Sequence, residues 1–244
     1  INCKPDGKNI NLKCGALHPE LLQQAVTAER AHGGCAFDGD ADRVLFVDEK
    51  GRVQDGDILL TLLAEYMKSK NRLKNSAVVT TVMANFGFFE EMKKRGIKVI
   101  TTAVGDKAVS DAMKTSGAKL GGEQSGHIIF SDELPTGDGP LTMLKVLEAY
   151  RGSGRPLSSF TDSFRKFPQV LMNLKVSERV PLDTVPKVQS AIRNAESRLN
   201  GRGRVLVRYS GTEPLLRVMV EGDSLPEIEG LADGIIRTAK ENIG

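Results

Sequence analysis

The 244-residue chain has no tryptophan, only three cysteines, and no apolar run close to the roughly 20 residues that a transmembrane helix requires. The sequence therefore predicts no membrane segment. The cysteines, Cys3, Cys14 and Cys35, are odd in number and show no C-x-x-C spacing, which favours free thiols in a reducing, cytoplasmic compartment. The formal charge of +3 is too small to predict binding to nucleic acid or to an anionic membrane.

A signal peptide is also lacking, because the opening residues, INCKPDGKNI, are polar. The chain begins at Ile1 rather than at methionine, and its first residues read like the interior of a domain. We expect the chain to be the C-terminal portion of a longer protein. Its length and its 40% apolar content are sufficient for one large globular domain or two modest ones.

Helical segments such as PELLQQAVTAERA and LLTLLAEYMKSK alternate with extended segments such as GCAF, VLFV and SAVVTTVM. This alternation predicts βαβ units around a mostly parallel sheet. Residues 151–156, RGSGRP, are a composition break, and beyond them two extended segments around a tight turn predict a smaller domain. The predicted fold class is mixed α/β followed by a smaller α+β C-terminal domain.

The stretch FDGDADRVLFVD places Asp38, Asp40 and Asp42 on alternate residues between two predicted strands. An EF-hand is excluded, because Arg43 stands where the calcium loop needs glycine and because the flanking segments are strands. A solvated acidic turn remains an alternative. Three like charges on a tight turn repel one another unless a cation joins them, and oxygen-only ligands favour Mg²⁺. The stretch therefore predicts a Mg²⁺ site that handles phosphate.

A second polar loop, RYSGTEPLLR, predicts a phosphate site. Arg208 and Arg217 flank a turn made by Ser210, Gly211 and Thr212, which offers backbone N–H groups and two hydroxyls. Guanidinium groups and turn amides are well suited to a phosphate dianion. The alternative is an ordinary hairpin turn with surface arginines.

A third loop, GGEQSGHIIF, carries Glu123, Gln124, Ser125 and His127 between two short strands, which suits sugar hydroxyls or an amine. His127 is a candidate for proton transfer, because the unperturbed pKa of histidine lies near neutral pH. A β-hairpin with incidental polar residues is the alternative. In AVGDKAV, Lys107 either faces an anion or is solvated. PTGDGP is interpreted as a helix-entry turn with a mainly structural role.

Together and in this order, FDGDADR, GGEQSGH and RYSGTEPLLRVMVEG resemble the α-D-phosphohexomutase superfamily. The segments CGALHPE, VMANFGF, VGDKAV and TGDG extend the resemblance over essentially the whole chain. Gln124 matches the glucosamine-type version of its loop better than the versions typical of phosphomannomutases or phosphoglucomutases. The superfamily has three α/β domains and a smaller α+β fourth domain. The resemblance implies that this chain holds the end of the second domain in residues 1–50, the third domain in residues 51–163 and the fourth in residues 164–244.

The resemblance implies a reversible isomerisation of glucosamine 6-phosphate to glucosamine 1-phosphate on the route to peptidoglycan precursors. In such enzymes a phosphoserine of the first domain phosphorylates the sugar phosphate, and a bisphosphate intermediate turns over. No TASHNP-like serine loop occurs in these 244 residues, so we expect the chain alone to be inactive. A phosphoglucomutase or phosphomannomutase and a non-catalytic phosphosugar-binding fragment remain alternatives, and homodimer formation is left open.

Residue roles also follow from the resemblance. Asp38, Asp40 and Asp42 would hold Mg²⁺, whose further ligand is a phosphoserine oxygen, and Arg43 would contact the same phosphate. His127 would be the acid–base group, while Lys107 replaces the arginine usual at its position. Substrate hydroxyls and phosphate would be bound by the remaining loop residues: Glu123, Ser125, Arg208, Ser210, Gly211, Thr212 and Arg217.

Overall fold

The computed structural model describes residues 1–211 and 213–244. Two compact units are present, Ile1–Arg165 and Lys166–Gly244. The three-segment division at residues 50 and 163 stays a prediction. Cys3, Cys14 and Cys35 are free cysteines. Within the described ranges no helix is both long enough and apolar enough to cross a membrane.

The first unit opens with a helix and a small antiparallel sheet. Helix α1 (Glu20–Ala28) is followed by strands β1 (Gly33–Phe37), β2 (Val44–Asp48) and β3 (Val53–Gln54), which pair in the order β1-β2-β3. Every residue of β2 is buried. Because the antiparallel register pairs the last residue of β1 with the first residue of β2, the six intervening residues, including all three aspartates, form one turn.

The rest of the first unit is a mixed α/β layer structure. Its elements are α2 (Gly56–Ser69), β4 (Ala77–Thr81), α3 (Phe86–Lys94), β5 (Lys98–Thr102), α4 (Asp106–Ser116), β6 (Leu120–Gly122), β7 (Ile128–Phe130), α5 (Gly139–Ser153) and α6 (Ser158–Ser163). The sheet order is β5-β4-β6-β7. Strand β4 runs parallel to β5 and β6, while β7 is antiparallel to β6. The predicted α/β fold class is thereby confirmed, but the predicted parallel arrangement holds only for β4, β5 and β6, since β1 and β2 form an antiparallel hairpin. The GGEQSGH loop is the connection of another β-hairpin.

Three helices of this unit begin at side-chain caps. Asp55 accepts from the Ile58 N–H at the start of α2, and Asn85 accepts from the Gly87 N–H at the start of α3. Asp138 accepts from the Leu141 N–H at the start of α5. An Asp or Asn at this position satisfies one of the amides that a helix start leaves free, which contributes about 1 kcal/mol.

The core of the first unit is built around α2, whose first nine residues are all buried. Leu59 and Leu63 on α2 and Phe88 and Met92 on α3 belong to this core and are almost entirely inaccessible to solvent. Burying each such side chain contributes roughly 1.5–3 kcal/mol. The core therefore anchors the N-terminus of α2, which lies beside the polar loops.

The composition break at residues 151–156 is not the boundary between the units. Helix α5 continues through Ser153 and ends at Gly154, which has a φ of 65°. A left-handed residue is the usual way to end a helix, and glycine adopts it without strain. Helix α6 follows, and the first unit ends at Arg165. The Gly- and Ser-rich composition marks a helix end.

The second unit is a three-stranded antiparallel sheet with two helices. Its elements are β8 (Gln169–Lys175), α7 (Pro186–Leu199), β9 (Gly203–Tyr209), β10 (Leu215–Gly222) and α8 (Leu225–Ile243). The sheet order is β8-β10-β9, so the central strand is β10, which is also the most buried. Apolar side chains of the sheet and of both helices form one core. This arrangement confirms the predicted smaller α+β domain.

Candidate functional site

The turn between β1 and β2 brings the three aspartates together. One carboxylate oxygen from each of Asp38, Asp40 and Asp42 lies within 4.8 Å of the other two. Ala41 adopts a φ of 60°, which reverses the chain between Asp40 and Asp42. A left-handed conformation costs a non-glycine residue roughly 1–2 kcal/mol. It is held here by the Gly139 N–H, which donates to the Ala41 carbonyl at 2.8 Å.

The carboxylates of this turn have only long ion pairs with the nearest guanidinium group, and one of their oxygens has no hydrogen-bond donor among the described residues. The Asp38 side chain is only 5% exposed, and burial together with the neighbouring Asp42 raises its pKa. The Arg43 guanidinium lies 3.6 Å from Asp38 and 3.9 Å from Asp42, which is too far for hydrogen bonds. Among the described residues, no group donates a hydrogen bond to the buried Oδ1 of Asp42. An unpartnered carboxylate oxygen and a raised carboxyl pKa mark a place where a cation would favour the charged form of the carboxylates.

These residues fit a hard divalent cation. All three side chains offer oxygen, and converging carboxylates with open positions suit Mg²⁺, which keeps several other oxygen ligands. A solvated acidic turn, the alternative left open by the sequence, does not account for the burial of Asp38 or for the unpartnered Oδ1 of Asp42. The flanking strands agree with the exclusion of an EF-hand.

His127 packs against this turn and is 3% exposed. Its Nδ1 lies 3.0 Å from Oδ2 of Asp42, and its Nε2 accepts from the Gly137 N–H at 3.1 Å. A Cβ at position 137 would lie 2.5 Å from two atoms of the imidazole, so only glycine allows this approach. The structure thus gathers Asp38, Asp40, Asp42, Arg43 and His127 at one place.

The GGEQSGH loop is fixed to the protein by its backbone. The Gly56 N–H, at the start of α2, donates to the Gln124 carbonyl at 3.0 Å. The Val44 N–H donates to the Gly126 carbonyl at 3.2 Å, and Gly126 has a φ of 92°. This loop leaves Ser125 exposed and Glu123 half-buried. Both predicted sugar-binding side chains can therefore be reached from solvent.

Glu123 connects this loop with the VGDK segment. Its Oε1 accepts from the Gly105 N–H at 3.1 Å, and Gly105 precedes α4 with a φ of 122°. Lys107 is exposed in the first turn of that helix. The carboxylate of Glu123 still has acceptor capacity, because the bond to Gly105 uses only part of it.

The Gln124 side chain is hydrogen-bonded to a buried carboxylate of the protein. Its Nε2 donates to Oδ2 of Asp57 at 3.0 Å, and the same oxygen accepts from the Asn85 N–H at 2.8 Å. Asp57 is fully buried in α2. Gln124, the residue that matched the glucosamine-type loop, therefore holds the loop in place through this hydrogen bond.

In the second unit, the predicted phosphate loop joins β9 and β10. Arg208 and Arg217 are directly paired residues of these strands, and burial together with the nearby Arg217 lowers the pKa of Arg208. Ser210 is buried, and its Oγ accepts from the Glu213 N–H at 3.3 Å, so this hydroxyl closes the turn. Gly211 is exposed. Thr212 lies outside the described residues.

Sequence reasoning missed several residues around these loops. Gly137 and Gly139 support the acidic turn, and the glycines of TGDG were the available signal. Arg179 was missed altogether, although its Nη2 donates to the carbonyls of Gly211 and Glu213 at 3.2 and 3.4 Å. Its position in the sequence, about thirty residues before the phosphate loop, carries no motif.

Comparison with known families gives two matches along the chain. The family model for the α/β/α domain III of phosphoglucomutase/phosphomannomutase matches residues 55–167. The model for the C-terminal domain of phosphoglucomutase/phosphomannomutase matches residues 171–238. Together these matches span most of the chain.

Among individual relatives, the phosphoglucosamine mutase of Solibacter usitatus is 47% identical over the whole chain, which covers 55% of that protein. That of Moorella thermoacetica is 48% identical over 96% of the chain and 53% of its own length. The chain spans about half the length of the curated relatives it matches.

Solved structures of similar fold include an N-acetylphosphoglucosamine mutase of Aspergillus fumigatus in complex with GlcNAc-6P and magnesium. It superimposes with a TM-score of 0.73 at 24% identity, over 95% of this chain and 53% of that one. A phosphoglucomutase/phosphomannomutase family protein of Burkholderia thailandensis gives a TM-score of 0.72 at 24% identity, over 93% of this chain and 51% of that one.

Proposed function

Because this chain belongs to the phosphoglucomutase/phosphomannomutase family, we propose that it is the metal- and phosphate-binding portion of a phosphosugar mutase that interconverts glucosamine 6-phosphate and glucosamine 1-phosphate. The observation that carries the proposal is the convergence of Asp38, Asp40 and Asp42, with the buried Oδ1 of Asp42 left without a donor among the described residues. The glucosamine substrate is supported by relatives named phosphoglucosamine mutase along the entire chain.

Asp38, Asp40 and Asp42 would hold Mg²⁺. When bound, the ion neutralises charge on a transferring phosphoryl group and orients it. The Arg43 side chain is 39% exposed, so its guanidinium can donate to a phosphate oxygen next to the carboxylates. Its backbone N–H meanwhile holds Oδ1 of Asp38 at 3.1 Å.

The sugar would be bound by the hairpin between β6 and β7. The exposed Ser125 hydroxyl can donate or accept, and the free acceptor capacity of Glu123 suits a sugar hydroxyl or a protonated amine. Lys107 offers a positive charge on the segment that Glu123 contacts. In the second unit, Arg208 and Arg217 present two guanidinium groups to a phosphate. Binding energy from a non-reacting phosphate supports catalysis when it is used to orient the reacting group.

A phosphoglucomutase or phosphomannomutase of broader specificity is a second candidate. The specific observation in its favour is the inward orientation of Gln124, whose side-chain N–H donates to Oδ2 of Asp57. Gln124 therefore does not by itself discriminate between an amino sugar and its hydroxyl analogue.

The test is a mutase assay on the product of the complete reading frame, because the matched relatives are about twice as long as this chain. The protein receives Mg²⁺, a hexose bisphosphate activator and the 6-phosphates of glucosamine, glucose or mannose, and ³¹P NMR follows the 1-phosphate. We expect the highest kcat/KM with glucosamine 6-phosphate. Turnover of glucose or mannose phosphates without turnover of glucosamine phosphate would replace the proposal with the second candidate.

A matched variant links the assay to the site. Asp40→Asn removes the charge of the most exposed of the three carboxylates with little change in shape. We expect kcat to fall by about two orders of magnitude or more, as for loss of a metal ligand. An unchanged kcat in this variant would separate the activity from the acidic turn.

A further inference from the structure

We propose that His127 is a positioning residue that holds Asp42 for the cation through a single fixed tautomer, and that it does not transfer a proton to or from the substrate. The inference rests on the metal site of the proposed function. It replaces the acid–base role that the sequence predicted for His127.

The tautomer follows from the hydrogen bond with Gly137. A backbone N–H can only donate, so Nε2 of His127, 3.1 Å away, must be the unprotonated acceptor. The proton of the neutral ring is then on Nδ1, which donates to Oδ2 of Asp42 at 3.0 Å. The Gly137 amide thereby sets the direction of the second bond.

Both ring nitrogens are occupied, and the side chain is only 4% exposed. A general acid or base must come within hydrogen-bond reach of the proton that it transfers. In this arrangement, neither nitrogen of His127 faces a position that a substrate could occupy without first breaking the bond to Asp42 or to Gly137.

For Asp42, the consequence is an oriented carboxylate. The imidazole holds Oδ2, while Oδ1 is buried and receives no hydrogen bond from any described residue. A carboxylate fixed through one oxygen presents the other in a constant direction, and such outer partners strengthen metal binding by about 10–100-fold. His127 thus contributes to the site although it is not itself a ligand.

Residues 137–139 support the turn at two points. The Gly137 N–H fixes the imidazole, and the Gly139 N–H fixes the left-handed Ala41 through its carbonyl. Between them, Asp138 caps α5 by accepting from the Leu141 N–H at 2.6 Å. This segment, interpreted from the sequence as a helix-entry turn with a mainly structural role, therefore ties the metal-binding turn to the capped N-terminus of α5.

The tautomer can be tested directly by ¹⁵N NMR of the histidine rings in the 244-residue chain, with His18 and His32 assigned by substitution. We expect one population for His127, with a proton on Nδ1 and an unprotonated Nε2. A proton on Nε2, or exchange between the two tautomers, would overturn the inference.

The positioning role is tested by the affinity for Mn²⁺, a paramagnetic substitute for Mg²⁺, measured by EPR. Asn places its amide nitrogen near the position of Nδ1, and Gln places it near Nε2. We therefore expect His127→Asn to keep the affinity within about threefold, and His127→Gln and His127→Ala to lose about 10–100-fold. His32→Asn, at an exposed position, is the matched control and should leave the affinity unchanged.

Gly137→Ala provides a second route if His127→Ala fails to fold. Its Cβ would displace the imidazole without removing it, so we expect a loss of Mn²⁺ affinity similar to that of His127→Gln. Equal affinities of the wild type, His127→Gln and Gly137→Ala would refute the positioning role while leaving the metal site intact. Absence of Mn²⁺ binding in the wild type would instead remove the proposed metal site, and the inference with it.

Discussion

Arg208 and Arg217 are directly opposite each other on the antiparallel strands β9 and β10. Burial and the like charge of Arg217 both lower the pKa of Arg208. Arg217 is partly compensated by Glu213, whose Oε2 accepts from Nη2 at 2.7 Å. Two neighbouring guanidinium groups repel each other unless an anion lies between them or beside them, so this pair favours binding of phosphate.

We predict that Arg217→Gln weakens binding of inorganic phosphate to the 244-residue chain by roughly 10–100-fold, because hydrogen bonds to charged groups contribute about 1.5–3 kcal/mol. Arg217→Lys should recover only part of the affinity, since an ammonium cannot form the two parallel bonds of a guanidinium. Isothermal titration calorimetry with phosphate measures both variants.

The control is Arg193→Gln, which removes one exposed positive charge from α7 in the same unit. It lowers the net charge by the same amount, so any effect of overall charge appears in both variants. If Arg193→Gln and Arg217→Gln weaken phosphate binding equally, the arginine pair is not the phosphate site.

For Gln124, the structure predicts an effect on stability. Gln124→Met keeps the size of the side chain but removes the donor to Asp57, which should lower the free energy of unfolding by about 1–3 kcal/mol. Gln124→Glu should cost more, because it places a second carboxylate beside Asp57. Urea unfolding at pH 7 measures both changes, and equal stabilities of the two variants would contradict the expected repulsion.

Ser125→Ala is the matched control for this loop. The Ser125 hydroxyl is exposed, so we expect its removal to change the free energy of unfolding by less than about 0.5 kcal/mol. If the proposed sugar site is right, the same substitution in the product of the complete reading frame should raise KM for the sugar phosphate, whereas Gln124→Met should change KM much less. A larger KM effect from Gln124→Met would show that its side chain reaches the substrate after all.

The decrease in the free energy of unfolding at acidic pH should depend on Glu91. Burial alone would raise the pKa of Glu91, but hydrogen bonds from Lys94 and Arg95 outweigh it and hold the pKa below its usual value. A pKa that is lower in the folded than in the unfolded state adds stability above the unfolded pKa, and this stability is lost as the pH falls through the folded pKa. Glu91→Gln should therefore be less stable than the wild type by about 1 kcal/mol at pH 7.

This difference should shrink as the pH falls below the usual glutamate pKa of about 4.3, because the unfolded state then takes up a proton before the folded state does. Urea unfolding of both proteins between pH 3 and pH 7, in the range given by the usual glutamate pKa, follows the change. Glu90→Gln, on the same helix but outside this ion-pair network, is the control. A difference between the wild type and Glu91→Gln that is constant across the range would contradict the lowered pKa.

The order of helices and strands could be predicted because hydrophobic periodicity, caps and glycines act locally. The turn between β1 and β2 was predictable for the same reason, since Asp38, Asp40 and Asp42 are close in sequence. Helix α6 was missed, because it is short and follows a stretch whose composition resembles a linker.

What could not be predicted depends on contacts between distant residues. His127 is 85 positions from Asp42, and its tautomer is set by Gly137, which no pattern connects with the acidic turn. Gln124 is 67 positions from Asp57, so its inward orientation was equally hidden. A motif shows which polar residues are present, whereas only the fold shows which of their atoms remain free for a ligand.

The central claim is that the turn between β1 and β2 binds a divalent cation. It is tested most directly by an EPR titration of the 244-residue chain with Mn²⁺, followed by competition with Mg²⁺. We predict one Mn²⁺ site in the wild type, from which Mg²⁺ displaces the Mn²⁺. The site should be lost in the variant that combines Asp38→Asn, Asp40→Asn and Asp42→Asn, because the three carboxylates that converge within 4.8 Å are then replaced by amides. The same stoichiometry and affinity in the wild type and in this variant would contradict the account.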